Sequence, residues 1–213
     1  MGNRETQGKL LAIGMAVVAL GAAGIGSMGG RELTPEDAET LESLPIASAE
    51  RVEVFGAVLA EQLLSLDPEM DFAAVVAPDQ FALRSLPPGL SLAQQVHFVR
   101  GVDEGDNPQL IEIIHARVED GDDLRYLGTA VRDGNPVARF RLILLDGGVD
   151  YYDLLVGVRD GEPLVVDSFS LATGQWHSEL YAELFRFGVL ERGFVGDDIG
   201  SLDRIGEAAR DEN

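Results

Sequence analysis

The chain has 213 residues, 46% of them hydrophobic, and 37 acidic against 16 basic side chains give a formal net charge of −21. This charge argues against binding to nucleic acid or to anionic lipid surfaces, because both require clustered lysine and arginine. The chain has no cysteine, which excludes disulfides and thiolate metal sites, and its length fits one domain with extensions.

An uncharged apolar run extends from Leu10 to about Met28, after the cations Arg4 and Lys9. A run of about 20 apolar residues is long enough to span a bilayer. Because cations precede the run and the acidic stretch Glu32–Glu42 follows it, we expect a single-pass anchor with a cytoplasmic N-terminus. The soluble part would then lie on the periplasmic, extracytoplasmic side of the inner (cytoplasmic) membrane. A cleaved signal peptide is the alternative, although no clean Ala-x-Ala site follows.

Helix signals come next along the chain. Apolar side chains recur at three- and four-residue spacing over Ser48–Leu66, which predicts an amphipathic helix. The stripe consists of Val52, Phe55, Leu59, Leu63 and Leu66. Shorter helices are predicted after the N-cap Thr34, from Asp67 to about Val76, over Asp79–Leu86, and from the capping box Ser91-Leu92-Ala93-Gln94 to Val99.

Five apolar-rich segments then alternate with short turns of Asp and Gly, which is the pattern of consecutive β-hairpins. The segments are Gln109–Glu119, Leu124–Arg132, Val137–Leu145, Val149–Arg159 and Glu162–Leu171. The sequence therefore predicts a bent five-stranded antiparallel meander. A sheet with one apolar face needs a cover, so we expect the preceding helices to pack on it and form an α+β domain.

Turn chemistry also predicts which residues share a face of the sheet, with turns at Gly134-Asn135, Asp146–Gly148 and Asp160-Gly161. The predicted pairs include Val156–Val165, Leu154–Asp167, Tyr152–Phe169, Phe140–Leu154, Leu142–Tyr152 and Arg141–Asp153. The covered apolar face then contains Leu110, Ile114, Ala116, Val118, Leu127, Val131, Phe140, Leu142, Leu144, Tyr152, Leu154, Val156, Val165 and Phe169. The opposite face contains His115, Arg117, Tyr126, Arg132, Arg139, Arg141, Asp153, Ser168 and Ser170.

The chain closes with a predicted helix and an acidic tail. Leu180, Leu184 and Phe187 form one stripe, which predicts a helix from Ser178 to about Glu191. The tail after Gly196 is acidic and poor in aromatic residues, so we expect it to remain flexible. The predicted organisation is a cytoplasmic N-terminus (1–9), a transmembrane anchor (10–29), a stalk (30–47), an α+β cone-like domain (48–193) and the tail (194–213).

Helices followed by a bent antiparallel meander resemble the nuclear transport factor 2-like superfamily, the cystatin-like cone fold, which includes polyketide cyclase-like and ketosteroid isomerase-like members. The residues that look like the last two strands of bacterial members run from Val149-Asp150-Tyr151-Tyr152-Asp153-Leu154 through Val166-Asp167-Ser168-Phe169 to Thr173-Gly174-Gln175-Trp176. The resemblance covers about 48–176 and rests on element order. It implies a cone whose interior can hold a small ligand, in some members with a catalytic carboxylate; shared fold does not imply shared function.

Asp167 and Tyr152 are the candidate catalytic residues. A carboxylate on the apolar face would be partly desolvated, its pKa would rise, and it could act as a general base. Tyr152 would lie on the diagonal beside it and could polarise a carbonyl as the acid. The alternative is that Asp167 bonds a loop backbone or pairs with an arginine, while Tyr152 belongs to the core. The predicted ligand pocket is lined by Phe140, Leu154, Phe169 and Trp176.

The three histidines do not form a metal-binding pair. His97, His115 and His177 show neither His-x-x-His nor His-x-x-x-His spacing, so no metal site and no cofactor are predicted. We expect His115 to be solvated, and His97 and His177 to have capping or surface roles. The acidic loops at 103–107 and 120–123 fit turn chemistry better than calcium binding.

Three functions are compatible with these features. The first is a membrane-anchored module that binds a small ligand or a partner protein without catalysis. The second is a cone-fold isomerase, dehydratase or cyclase with Asp167 as base. The third is an accessory subunit of a membrane complex, held there by its anchor. A homodimer through the open face of the sheet is compatible with each of them.

Overall fold

The computed structural model describes residues 34–66, 70–103, 110–145 and 147–186. The predicted anchor at 10–29 and the tail at 194–213 lie outside these ranges. Within them, no helix combines the length and the apolar character that crossing a membrane requires.

The described residues form helices on both sides of an antiparallel sheet in chain order. The α-helices are α1 Pro35–Thr40, α2 Ala49–Ser65, α3 Pro78–Arg84, α4 Leu92–Asp103, α5 Leu110–Glu119 and α6 His177–Phe185, with a 3₁₀ turn at Phe72–Ala74. The strands are β1 Asp123–Arg132, β2 Asn135–Ile143, β3 Val149–Arg159, β4 Glu162–Ser170 and β5 Gln175–Trp176. Each strand pairs with its neighbour in the chain, in the order β1-β2-β3-β4-β5. The α+β class and the five-stranded antiparallel meander are therefore confirmed.

The chain divides into two compact units, and the sheet belongs to the unit formed by 43–84 and 108–179. The other unit comprises 1–42, 85–107 and 180–213. In that unit the predicted capping box is present, because Ser91 N donates to Gln94 Oε1 at 2.9 Å. The buried Asp37 pairs there with Arg100 at 3.0 Å.

The first predicted strand, Gln109–Glu119, is wrong, because this segment forms α5. Its buried residues are Ile111, Ile114, His115 and Val118. That spacing of three, one and three residues is a helical stripe, whereas a strand would bury alternate positions. The fifth strand of the sheet is instead the short β5, which pairs Trp176 with Phe169.

The predicted register of the β3–β4 hairpin holds only near its turn. Val156 lies opposite Val165 as predicted, but the next pair is Leu155 with Asp167, so Val166 is an extra residue in a β-bulge. The backbone of Val165 also bonds the chain at Val75 and Ala77. Beyond the bulge every β4 side chain changes face relative to the prediction. Asp167 and Phe169 therefore leave the face on which they were predicted.

The other two hairpins differ from the prediction in ways that matter less for the faces. Asp133 and Gly134 form the β1–β2 turn with φ of 50° and 81°, which fits a type I′ turn. A bulge at Leu127 then places Tyr126, predicted on the opposite face, across from Phe140. Phe140 also lies across from Tyr152, two residues from the predicted register, and an even shift leaves side chains on the same face.

The main core lies between one face of the sheet and helices α2 and α5. We call this the core face; its buried residues from the strands are Leu124, Ala138, Phe140, Leu142, Tyr152, Leu154, Val156 and Val165. Phe55 and Leu59 of α2 belong to the same cluster, so the predicted cover by this helix is confirmed. Leu127 and Val131, predicted in this core, are exposed, Val131 at 74%.

A smaller apolar cluster lies on the opposite face of the sheet. It consists of Ala77, Val137, Leu155, Leu164, Val166 and Trp176, with Phe169 packed against it. The opposite face is therefore not simply polar, as the alternation predicted. Its apolar centre is bordered by arginines, and we call it the arginine face.

Helix α2 is attached to the edge strand β1 by a carboxylate. Glu53 Oε2 accepts from the Thr129 amide at 2.9 Å, the Thr129 hydroxyl at 2.7 Å and the Tyr126 hydroxyl at 3.1 Å. These bonds lower the pKa of Glu53. Gly56 lets the Tyr126 ring approach the helix, because a Cβ at Gly56 would stand only 2.5 Å from it. Glu53 thus occupies part of an exposed strand edge that could otherwise pair with another chain.

Candidate functional site

The bulge in β4 places the Asp167 carboxylate on the arginine face, where four groups bind it. Arg84 Nε lies 2.9 Å from Oδ2, and the Ser178 hydroxyl donates to the same oxygen at 2.6 Å. The amides of Ser168 and Ser178 donate to Oδ1 at 2.8 and 3.2 Å. Asp167 is only 2% exposed. Both of its oxygens are therefore used within the fold, to hold the first turn of α6 and to pair with Arg84.

Tyr152, the other predicted catalytic residue, lies on the core face and so on the opposite side of the sheet from Asp167. Burial raises its pKa, and the charge of Asp150 and a hydrogen bond to it raise the pKa further. Tyr152 is therefore a neutral phenol at physiological pH. The predicted diagonal contact between the two residues is wrong, because the Val166 bulge separates them. Their proposed catalytic roles remain predictions.

The four residues of the predicted ligand pocket are divided between the two faces. Phe140 and Leu154 are buried in the core beneath α2. Phe169 and Trp176 pack edge to face on the arginine face, with their ring centres 5.5 Å apart. The structure therefore does not bring these four side chains around one space.

Two of the histidines have surroundings that the sequence did not indicate. His115, predicted to be solvated, is 5% exposed on α5, and its Nε2 is buried without a hydrogen-bond partner among the described residues. His177 Nδ1 lies 2.5 Å from the Ser168 hydroxyl. Burial lowers the pKa of His177, although the charges of Asp167 and Asp150 oppose this. His97 lies half-buried within α4.

A neutral imidazole beside a serine hydroxyl is a pairing that can activate serine as a nucleophile. Here Ser168 is only 4% exposed, so the Ser168–His177 bond serves to hold the start of α6 against β4. The two residues are nine positions apart and on different elements. No spacing rule could have found this contact.

The centre of the arginine face is a buried carboxylate held by two guanidinium groups. Asp153 is 0% exposed. Arg139 binds both of its oxygens, with Nε at 2.6 Å from Oδ1 and Nη2 at 2.8 Å from Oδ2. Arg132 Nε donates to Oδ2 at 2.6 Å and its guanidinium stacks 3.6 Å from the Phe169 ring centre. Burial alone would raise the pKa of Asp153, but the hydrogen bonds and charges of both arginines hold it below its ordinary value.

Arg141 is the arginine of this face that the sequence analysis paired wrongly. The residue opposite Asp153 is Arg139, while Arg141 lies opposite Tyr151 on β3 and opposite Arg125 on β1. The Arg141 Nε is buried and has no hydrogen-bond partner among the described residues. The sequence had placed Arg132, Arg139 and Arg141 together on one face, and this grouping is confirmed.

Among the described residues, no group of three or more His, Asp or Glu side chains is arranged to hold a metal ion. Comparison with known proteins found no family model that matches this chain and no matching curated protein.

Proposed function

We propose that this protein is a membrane-anchored extracytoplasmic module that binds a small ligand or a partner protein without catalysis. The observation that carries the absence of catalysis is the saturation of Asp167. A general base needs an unoccupied oxygen within hydrogen-bond reach of the substrate, and both oxygens of this carboxylate already accept from Arg84, Ser168 and Ser178. The anchor is proposed from the apolar run at 10–29.

The likeness to the nuclear transport factor 2-like cone fold is part of this proposal. It is supported by α2 lying on one face of an antiparallel meander. Two features modify it: α5 replaces the first predicted strand, and the core face beneath α2 is filled by large apolar side chains. A filled interior favours a scaffold that binds through its surface.

The cone-fold isomerase, dehydratase or cyclase is the alternative. It would require Asp167 to exchange its present partners for a substrate, with Tyr152 acting from elsewhere. The third alternative, an accessory subunit of a membrane complex, shares the anchor with our proposal and differs in its partner. A homodimer through the arginine face is one form that the partner could take.

The absence of native cysteine allows a direct test of the membrane topology. We expect Glu162→Cys, at an exposed position of the β3–β4 hairpin, to react with a membrane-impermeant maleimide in intact cells. Glu5→Cys is the matched control and should react only after the membrane is permeabilised. Labelling of both variants in the same compartment would contradict the proposed anchor and orientation.

Retention of a partner tests the binding function. The full chain, extracted in mild detergent, is expected to carry a bound small molecule or protein that native mass spectrometry detects. The mass of that molecule should stay constant during incubation, because the module does not convert it. A bound molecule that is released with an altered mass would instead support the enzyme alternative. A protein partner present at fixed stoichiometry would favour the accessory subunit.

A further inference from the structure

We infer that the arginine face binds an anionic group of carboxylate or phosphate chemistry, with Arg141 as its principal ligand. This inference deepens the proposed function, since it names the chemistry of a ligand for that binding module. It rests on the positions of four arginines on one side of the sheet. These are Arg125, Arg132, Arg139 and Arg141.

The first argument is the hydrogen bonding of Arg141. A guanidinium keeps its charge at all physiological pH values and carries five N–H donors. Buried polar groups in native proteins almost always have a partner, so an exception calls for an explanation such as a bound ion or water. The buried Nε of Arg141 is such an exception among the described residues. An anion placed at the Nε edge would satisfy it through two parallel hydrogen bonds.

The second argument is the arrangement of like charges. Arg125 lies directly opposite Arg141 across β1 and β2, and like charges in this position destabilise a sheet. Arg139 lies two residues from Arg141 on the same strand, hence on the same face. The site thus concentrates three cations around one point in a chain whose net charge is −21.

The third argument is a count of charges on this face. Asp153 binds Arg132 and Arg139, and the exposed Asp123 binds Arg125 at 3.0 Å. Four guanidinium groups and two carboxylates leave a formal excess of two positive charges on this face. A phosphate dianion or a dicarboxylate would balance that excess.

The geometry also predicts how the anion is held. Both Nε and Nη2 of Arg139 already donate to Asp153, so Arg139 contributes mainly its charge and its remaining nitrogen. Arg141 offers a whole guanidinium edge. Replacing Arg141 should therefore weaken binding more than replacing any other arginine of this face.

The test is isothermal titration of the full chain in detergent with inorganic phosphate and with succinate, each at constant ionic strength. We expect saturable binding of at least one anion, and Arg141→Gln should weaken it by about ten- to a hundred-fold, since a hydrogen bond to a charged group is lost. Arg51→Gln is the matched control. It removes one positive charge from an exposed position on α2 and should bind as the wild type does.

Arg141→Lys keeps the charge and removes the planar fork, so it should bind with intermediate affinity. This variant, and the comparison of anions on the wild type, keep the test valid if Arg141→Gln does not fold. Binding of neither anion by the wild type, or equal binding by Arg141→Gln, would overturn the inference. Such a result, together with a retained partner of constant mass, would leave the proposed function standing. Conversion of a retained molecule would remove the proposed function and leave the anion site in place.

Discussion

Asp153→Ala should lower the free energy of unfolding by about 3–5 kcal/mol, the usual cost of removing one partner from a buried ion pair. The substitution leaves Arg132 and Arg139 facing each other without the carboxylate that both of them bind at 2.6 Å. Their side chains are only 21% and 32% exposed, so water can replace the carboxylate only in part. The measurement is urea unfolding of the full chain in detergent, followed by circular dichroism.

A surface ion pair on the same sheet provides the control for Asp153. Asp123 pairs with Arg125 at 3.0 Å, but both side chains are largely exposed, and such pairs contribute about 0–1 kcal/mol. Asp123→Ala should therefore change the unfolding free energy little. If the Asp153 and Asp123 variants lose equal amounts, the buried triad is not a main source of stability.

The same triad predicts how stability depends on pH. The pKa of Asp153 in the folded protein lies below its ordinary value of 3.8. A carboxyl with a depressed pKa contributes stability that is fully present above 3.8 and is lost as the pH falls through its folded pKa. The stability difference between the wild type and Asp153→Asn should therefore be constant near neutrality and shrink in acid below that value.

Asp167→Asn should lower the free energy of unfolding by about 2–3 kcal/mol, because the buried amide cannot accept all four hydrogen bonds and no longer pairs with Arg84. Arg84 is 38% exposed, so the loss of its charge partner is screened by water and the estimate stays below that for Asp153. The measurement is again urea unfolding of the full chain.

The sign of this change separates the structural role of Asp167 from the catalytic one. Active-site residues are often held at a cost in stability, and their replacement then leaves stability unchanged or increases it. Ser178→Ala removes one hydroxyl donor to Asp167 and serves as a partial control, with an expected loss of about 1 kcal/mol. An Asp167→Asn variant as stable as the wild type would revive the enzyme alternative.

The failures of the sequence analysis have identifiable causes. The segment 110–119 was interpreted as a strand because it is rich in isoleucine and valine, although its apolar residues recur with helical period. Asp167 was placed on the core face because the register was carried from the Asp160-Gly161 turn without a bulge. The arginine grouping on β1 and β2 was predicted correctly, because no bulge lies between these positions on β2.

By itself, the sequence determined the features that depend on neighbouring residues. Turns at Asp–Gly pairs, the caps of α1 and α4, the buried stripe of α2 and the shared face of Phe140 and Leu154 follow from local conformation and periodicity. Only the tertiary structure decided where Asp167 points and what binds it. The Val166 bulge lies where the backbone of Val75 and Ala77 pairs with Val165, and Arg84 is 83 residues from Asp167 along the chain. Contacts between such distant segments leave no periodic signal, so the chemistry of the buried carboxylates could not be derived before the fold.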